Sequence, residues 1–234
     1  NNNGGKDIDV PSEKGVPSYI YAGAVGRTLT GSGPIAWSHD GTPFGVCDLN
    51  GNVWEWVGGL RTNVGEIQVL ADNNAADNSK DQSAASTEWK AILQDGSLVA
   101  PGTANTLKID SPAAGKGVSE DLGAPFINTA ITNSMNPANT ASTEYLGYGQ
   151  TTFETLAAKS GVTIPKILRL LGVAPAFADC GADLFYARNY GERCAIRGGN
   201  WSNGSVAGVF SLPLYSHRSD SGVGHGFRSA FVQL

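Results

Sequence analysis

The sequence predicts an α+β fold of short antiparallel strands, a few helices and many loops. Three observations point there. The chain has 31 glycines in 234 residues, with 41% hydrophobic and only 16% charged residues, a balance that suits a loop-rich globular domain better than a helical bundle or a disordered tail. Short runs around Val53–Trp56 and Ala195–Gly198 have strand character. Three further stretches carry helix-start signals, a capping box or a proline at the first turn. A chain of this length allows one large domain or two small ones.

Taken in order, residues 1–16 are polar, with Gly and Pro, and read as a flexible lead. The remainder, 17–234, reads as the domain. Ser18–Leu29 alternates loosely and predicts an edge strand or two short ones. Gly31–Pro43 is rich in turn residues, with Trp37 expected to be buried. In Phe44–Gly59, Asp48, Asn50 and Asn52 surround Gly51, a tight-turn signal because short Asx side chains bond the nearby backbone. Val53, Trp54 and Trp56 then enter a strand. The two-residue period puts Trp54 and Trp56 on one face and Glu55 on the other. Glu55 has two candidate partners, Arg197 and Arg228, with a plain surface position as the alternative.

Gly65–Leu70 predicts a short strand. Ser79 and Gln82 have capping-box spacing, and Ala85, Trp89, Ile92 and Leu93 follow one helical face, so a helix is expected from about Lys80 to Leu93. Ser97–Ala100 and Thr106–Ile109 predict a hairpin around the turn residues Pro101-Gly102-Thr103. Asp110–Tyr148 gives no clear element. Thr151 with Glu154 signals a second helix, to about Lys159. Ile164–Leu171 predicts a third, with Pro165 in its first turn and Gly172 as its stop. Gly172–Tyr190 reads as a connection. Ala195–Gly198, Val206–Phe210 and Phe227–Val232 read as core strands.

The bulk properties narrow the function. Net charge is −5 and no basic run occurs, which disfavours binding to nucleic-acid backbone. No apolar run reaches membrane-spanning length, so no membrane insertion is expected. The chain begins with Asn and reads as a piece of a longer or processed protein. Of the three cysteines, Cys180 and Cys194 are a candidate pair, with buried free thiols favoured.

The most informative stretch is Arg197–Phe231. Arg197-Gly198-Gly199-Asn200-Trp201 and Gly226-Phe227-Arg228-Ser229-Ala230 bracket an irregular middle, Ser202–His225. The glycines allow close backbone approach or positive φ, the aromatics offer apolar area, and the arginines can hold carboxylates or carbonyls. The 24 residues of the middle contain no Lys, Glu, Gln, Met or Trp. Those are the residue types that codons ending in C do not encode, so randomised Asn codons would leave this mark. On composition alone an ordinary irregular loop is favoured.

Three motifs in order, DLNGNVWEWV (48–57), RGGNW (197–201) and GFRSA (226–230), with GPIAWSHDGT, GEIQVLADNNAAD and RNYGERCAIRGGNW, resemble the formylglycine-generating-enzyme-like branch of the C-type lectin fold. Within it the chain looks most like the variable proteins of diversity-generating retroelements of gut bacteria and their phages. The resemblance covers most of 33–234. It implies a C-type lectin fold whose N- and C-terminal parts meet, with an insertion at about 66–189 that should carry its own helices. It also implies a ligand-binding display domain, not an enzyme, whose segment 202–225 is diversified by mutagenic retrohoming for receptor or host-surface recognition.

The diversified, ligand-binding positions so implied are Ser202, Val206, Ser211, Pro213, Tyr215, Ser216, His217, Asp220, Gly222, Val223 and His225. Leu212, Leu214 and Phe210 alternate with them as inward-facing residues. The scaffold would be Trp54, Trp56, Arg197, Gly198, Gly199, Trp201, Gly226, Phe227 and Arg228, with Trp54, Trp56, Trp201 and Phe227 packed in the core. Trp201→Ala is then expected to cost about 3–5 kcal/mol. Tyr215, a residue type enriched in hot spots, is the expected anchor, and Tyr215→Ala should spare folding and abolish recognition. The partner would be a protein or other surface ligand, the location a phage tail or a bacterial cell surface. The resemblance allows a homotrimer, whose avidity would offset weak single-site contacts.

Catalytic signals are sparse. The related enzymes use a cysteine pair between RGGxW and GFR, and this chain has no cysteine there. His39, His217 and His225 lack metal-ligand spacing, and neither a metal nor a cofactor is expected. GxSxG and phosphate-loop motifs do not occur, and neither do the sugar-binding triplets EPN and QPD. A formylglycine-generating-type or other enzyme, and an invariant phage tail component, stand as the alternatives.

Overall fold

The computed structural model describes residues 27–138 and 144–229. The expected flexible lead and nearly all of the Ser18–Leu29 strand lie outside them, as does the end of the Phe227–Val232 strand.

The fold is built mostly of strands in mainly antiparallel sheets, with very few helices. Strand β1 (Trp54–Asn63) is its axis, followed by β2 (Glu66–Leu70), β3 (Trp89–Ile92), β4 (Leu98–Val99), β5 (Lys108–Asp110) and β6 (Phe126–Asn128). Then come β7 (Gly149–Thr152), helix α1 (Lys166–Leu170), β8 (Leu184–Ala187), β9 (Glu192–Arg197), β10 (Leu212–Leu214) and β11 (His225–Gly226). The larger sheet runs β11-β1-β2-β3-β4, with β9 also on β1, β5 on β2 and β6 on β5; the smaller runs β10-β8-β7. The first half of β1 lies between antiparallel β9 and parallel β11, and its second half between β9 and β2. The N- and C-terminal parts of the domain therefore meet on one strand.

The main core holds Ile67, Ile92, Leu107, Ile109, Ile127, Phe153, Leu168, Phe185, Ala195, Leu212 and Leu214, all fully buried or nearly so. Residues 66–189 supply β2–β8 and α1, so this region shares its core with β9 and β10.

Several elements differ from the sequence expectation. No helix spans 80–93. Residues 77–86 form turns, in which the backbone N–H groups of Ser79 and Ser83 donate to Asp77 (2.8 Å) and Asp81 (2.7 Å), and Trp89–Ile92 pairs with β2. The hairpin of 97–109 is absent too: β4 pairs with β3, while β5 pairs with β2 and β6. The second expected helix is β7 and a 3₁₀ turn, Phe153–Thr155. Only the third is helical, as α1, with Gly172 at φ +64° behind it. Gly172–Tyr190 holds β8 as well as a connection. Val206–Phe210 is a 3₁₀ turn and a loop, with Val209 exposed. The cysteines are free, and Trp37 is only half-buried.

Candidate functional site

Segment 198–228 crosses the N-terminal end of β1 and is fastened there at both ends. The Asx turn before β1 does the first part. Asp48 and Asn52 take left-handed φ values of 56° and 61°, conformations that Asn and Asp tolerate better than most residues. The turn's Gly51 N–H donates to Gly198 O at 2.8 Å, and Trp201 N–H donates to Asn52 O at 3.1 Å. At the far end, Trp54 N–H donates to Gly224 O at 2.8 Å. Arg228 closes the frame with a bidentate pair to the Glu55 carboxylate and donates to Cys47 O and Asp48 O, both at 3.1 Å. Of the two candidate partners of Glu55, Arg228 takes its carboxylate. Arg197 sits opposite Glu55 in the ladder, but its side chain donates to Gly172 O behind α1 at 2.7 Å. Burial lowers the Arg197 guanidinium to about 10, so it stays charged at neutral pH.

The paired glycines have a steric cause. Gly198 and Gly199 have φ of +88° and +80°, and a Cβ on Gly199 would lie 2.4 Å from the Ala207 methyl group. Gly204, at φ +59°, has open space at that position. Both Gly199→Ala and Gly204→Ala incur about 1 kcal/mol or more of left-handed backbone strain, but only the first adds a clash. Urea unfolding should show Gly199→Ala as clearly the more destabilised; equal losses would show that Ala207 yields freely.

The eleven residues implied by the resemblance do not form one solvent-facing set. Ser202, Gly222 and Val223 are exposed, and Val206, Tyr215, Asp220 and His225 are half-buried. Ser211, Pro213, Ser216 and His217 are buried, which corrects the expectation of exposure for those four. The reason lies in β10. It pairs with β8 and packs on β9, so it is covered on both faces, and Pro213 is buried along with Leu212 and Leu214. Ser211 donates to Leu184 O at 3.2 Å, the Ser216 backbone bridges to Cys194, and His217 faces the buried Arg193 guanidinium.

Among the scaffold residues, Trp54 is buried at 5% exposure, as expected. Trp56 and Trp201 are half-buried, and Phe227 is 79% exposed. The core expectation therefore fails for Phe227, because β11 ends at Gly226, and the cost expected for Trp201→Ala is too large. The half-buried face of Trp56 has company: His225 stacks on it at 5.6 Å. Burial lowers the His225 pKa, opposed in part by Asp220, so a neutral ring meets the indole. Trp56 lines two clefts, one of about 280 Å³ reaching Trp89 and Arg218 and one of about 400 Å³ reaching Arg197 and Val209.

Two groups escaped the sequence reading. One is a polar chain, Glu66–Gln68–Arg61–Glu192–Arg218. Gln68 donates to Glu66 at 2.7 Å, Arg61 to Gln68 at 2.8 Å and to Glu192 at 2.7 Å, and Arg218 to Glu192 at 2.8 Å. It ties β2 to segment 202–225. The other is a ring of four tyrosines about Arg188. The spacing of Tyr186 and Arg188, two apart in and after a strand, was its only local signal.

Among the described residues, no three His, Cys, Asp or Glu side chains are grouped so as to hold a metal ion, and no helix is long and apolar enough to cross a membrane. Comparison with known proteins finds no family model and no curated protein that matches the chain.

Proposed function

We propose that the chain is a ligand-binding display domain of the C-type lectin, formylglycine-generating-enzyme-like type, whose segment 202–225 is diversified and serves recognition of a receptor or host surface. The observation that carries this reading is the frame. Both ends of the segment are bolted to the turn and first residues of β1, while Ser202, Gly222 and Val223 stand in solvent between them. Such an arrangement lets side chains change without loss of the backbone path, the logic of antibody loops. The reading narrows the variable surface to Ser202, Val206, Tyr215, Asp220, Gly222, Val223 and His225. Tyr215 is half-buried, so Tyr215→Ala removes packing as well as contact. Exposed positions are the cleaner probes of tolerance.

Two tests follow from the proposal. The DNA beside the coding region should hold a near-copy of the codons for this segment that differs almost only at adenines, next to a reverse transcriptase gene. A locus without that copy overturns the diversified reading. At the protein level, a Ser202→Tyr, Val223→Asn double variant should keep its stability within about 0.5 kcal/mol per site, as surface changes do. A loss of several kcal/mol would show that the segment is structural.

A further inference from the structure

Arg188 is buried, at 4% exposure, and it is ringed by tyrosines. Its guanidinium carbon lies 4.7 Å from the Tyr145 ring centroid, 5.3 Å from Tyr215, 5.5 Å from Tyr186 and 5.9 Å from Tyr148. Its hydrogen bonds are long and reach neutral acceptors only: Leu146 O at 3.4 Å, Tyr215 O at 3.5 Å and the Tyr186 hydroxyl at 3.3 Å. No carboxylate of the described residues lies within ion-pair distance of it. Asp220, which accepts from the Tyr145 hydroxyl at 2.8 Å, also accepts from the His217 backbone N–H at 2.8 Å. A buried cation without a carboxylate is costly, and the four ring faces offset only part of that cost.

We propose that the tyrosine cluster over Arg188 binds a carboxylate presented by an acidic segment of a partner protein. The phenols provide the donors. Tyr186 accepts from Arg188, so its own hydroxyl proton is not used in that bond and can donate to a ligand. Burial raises the pKa values of Tyr186 and Tyr215, so both remain protonated donors at neutral pH. Tyr148 and Tyr186 stack at 4.6 Å and Tyr215 packs edge-on to Tyr186 at 4.8 Å, so the rings are set before any ligand arrives, at little further entropy cost. Arg188 acts from beneath as the fixed positive charge. Rigid tyrosine area around one charge-assisted contact fits a protein surface, where such residues concentrate binding energy. The inference does not depend on whether segment 202–225 is diversified, since Arg188 and three of the four rings lie outside it.

The test titrates the intact chain with hexaglutamate and, in parallel, hexaglutamine and glucuronate, by calorimetry and by ¹⁵N amide shifts. Saturable binding of hexaglutamate in about the 0.1–1 mM range is expected, with shifts centred on Tyr145, Tyr148, Tyr186 and Tyr215. Tyr186→Phe, which removes one hydroxyl and leaves the ring, should weaken it roughly tenfold, as loss of a charge-assisted hydrogen bond does. Arg188→Gln should remove it. Equal binding of hexaglutamine, binding unchanged in folded Tyr186→Phe, shifts centred elsewhere, or binding of glucuronate alone would each overturn the proposal.

Discussion

Glu192→Ala is expected to destabilise the domain by about 3 kcal/mol, near the low end of the cost of leaving a buried charge without its partner. The Glu192 carboxylate lies between Arg61, whose side chain is 5% exposed, and Arg218, at 41%. Without it, the Arg61 guanidinium would stay inside with the neutral acceptors Gln68 and Ala84 O, over the Trp89 ring. Arg218 is the weaker side of the pair, because solvent screens it. Its loss matters in another way, since Arg218 is a side-chain tether between segment 202–225 and β9, beside the Ser216–Cys194 backbone bridge. The same carboxylate carries a pH dependence. Burial alone would raise its pKa, but the hydrogen bonds and charges of Arg218 and Arg61 outweigh burial and hold it below the ordinary glutamate value. A group depressed in the folded state stabilises above its unfolded pKa of about 4.3 and loses that contribution as pH falls through the folded value. Urea midpoints of the parent and of Glu192→Gln should therefore converge as the medium is acidified from neutrality. A gap that stays constant would mean that Glu192 is not the charged partner the geometry shows.

The sequence made some parts of this arrangement readable and hid others, and the difference is one of range. The turn at Asp48–Asn52, the strand after it and the stop at Gly172 were legible because each rests on a few adjacent residues with strong backbone preferences. So was the choice of Glu55 partner, to within two arginines. The helix expected over 80–93 failed because its signals were real but outcompeted. Asp77 and Asp81 cap neighbouring N–H groups in turns, which is how such residues compete with helix. Trp89, Ala91 and Ile92 are buried because β2 and β4 offer them strand partners, and pairing overrides intrinsic propensity. For the candidate site, the frame was legible and the exposed set was only partly so. An inward–outward alternation over 210–216 assumes one covered face, and β10 has two. The Arg188 cluster had little local pattern beyond the Tyr186–Arg188 spacing, since its rings come from positions 145, 148, 186 and 215, brought together where β8 pairs with β7 and β10.

The frame itself is best weighed by its aromatics, which look alike in sequence and differ in space. Trp54→Ala should cost about 3–5 kcal/mol, as expected for a core aromatic. It is 5% exposed and sits where β1 receives both β9 and β11. Phe227→Ala, at 79% exposure, should stay within about 0.5 kcal/mol of the parent, as an unpartnered surface position does. Trp201→Ala falls between them, because its ring is half-buried beside Gly224. Thermal or urea unfolding of the three variants reads this order directly. If Phe227→Ala proved as costly as Trp54→Ala, Phe227 would have to be covered in the folded protein by something the isolated domain does not show. Sedimentation of the parent over a range of concentrations would then show whether a second copy supplies that cover. If instead the order holds, the anchoring of the segment rests on Trp54, the glycine pair and the Glu55–Arg228 clamp, and Phe227 contributes little to it.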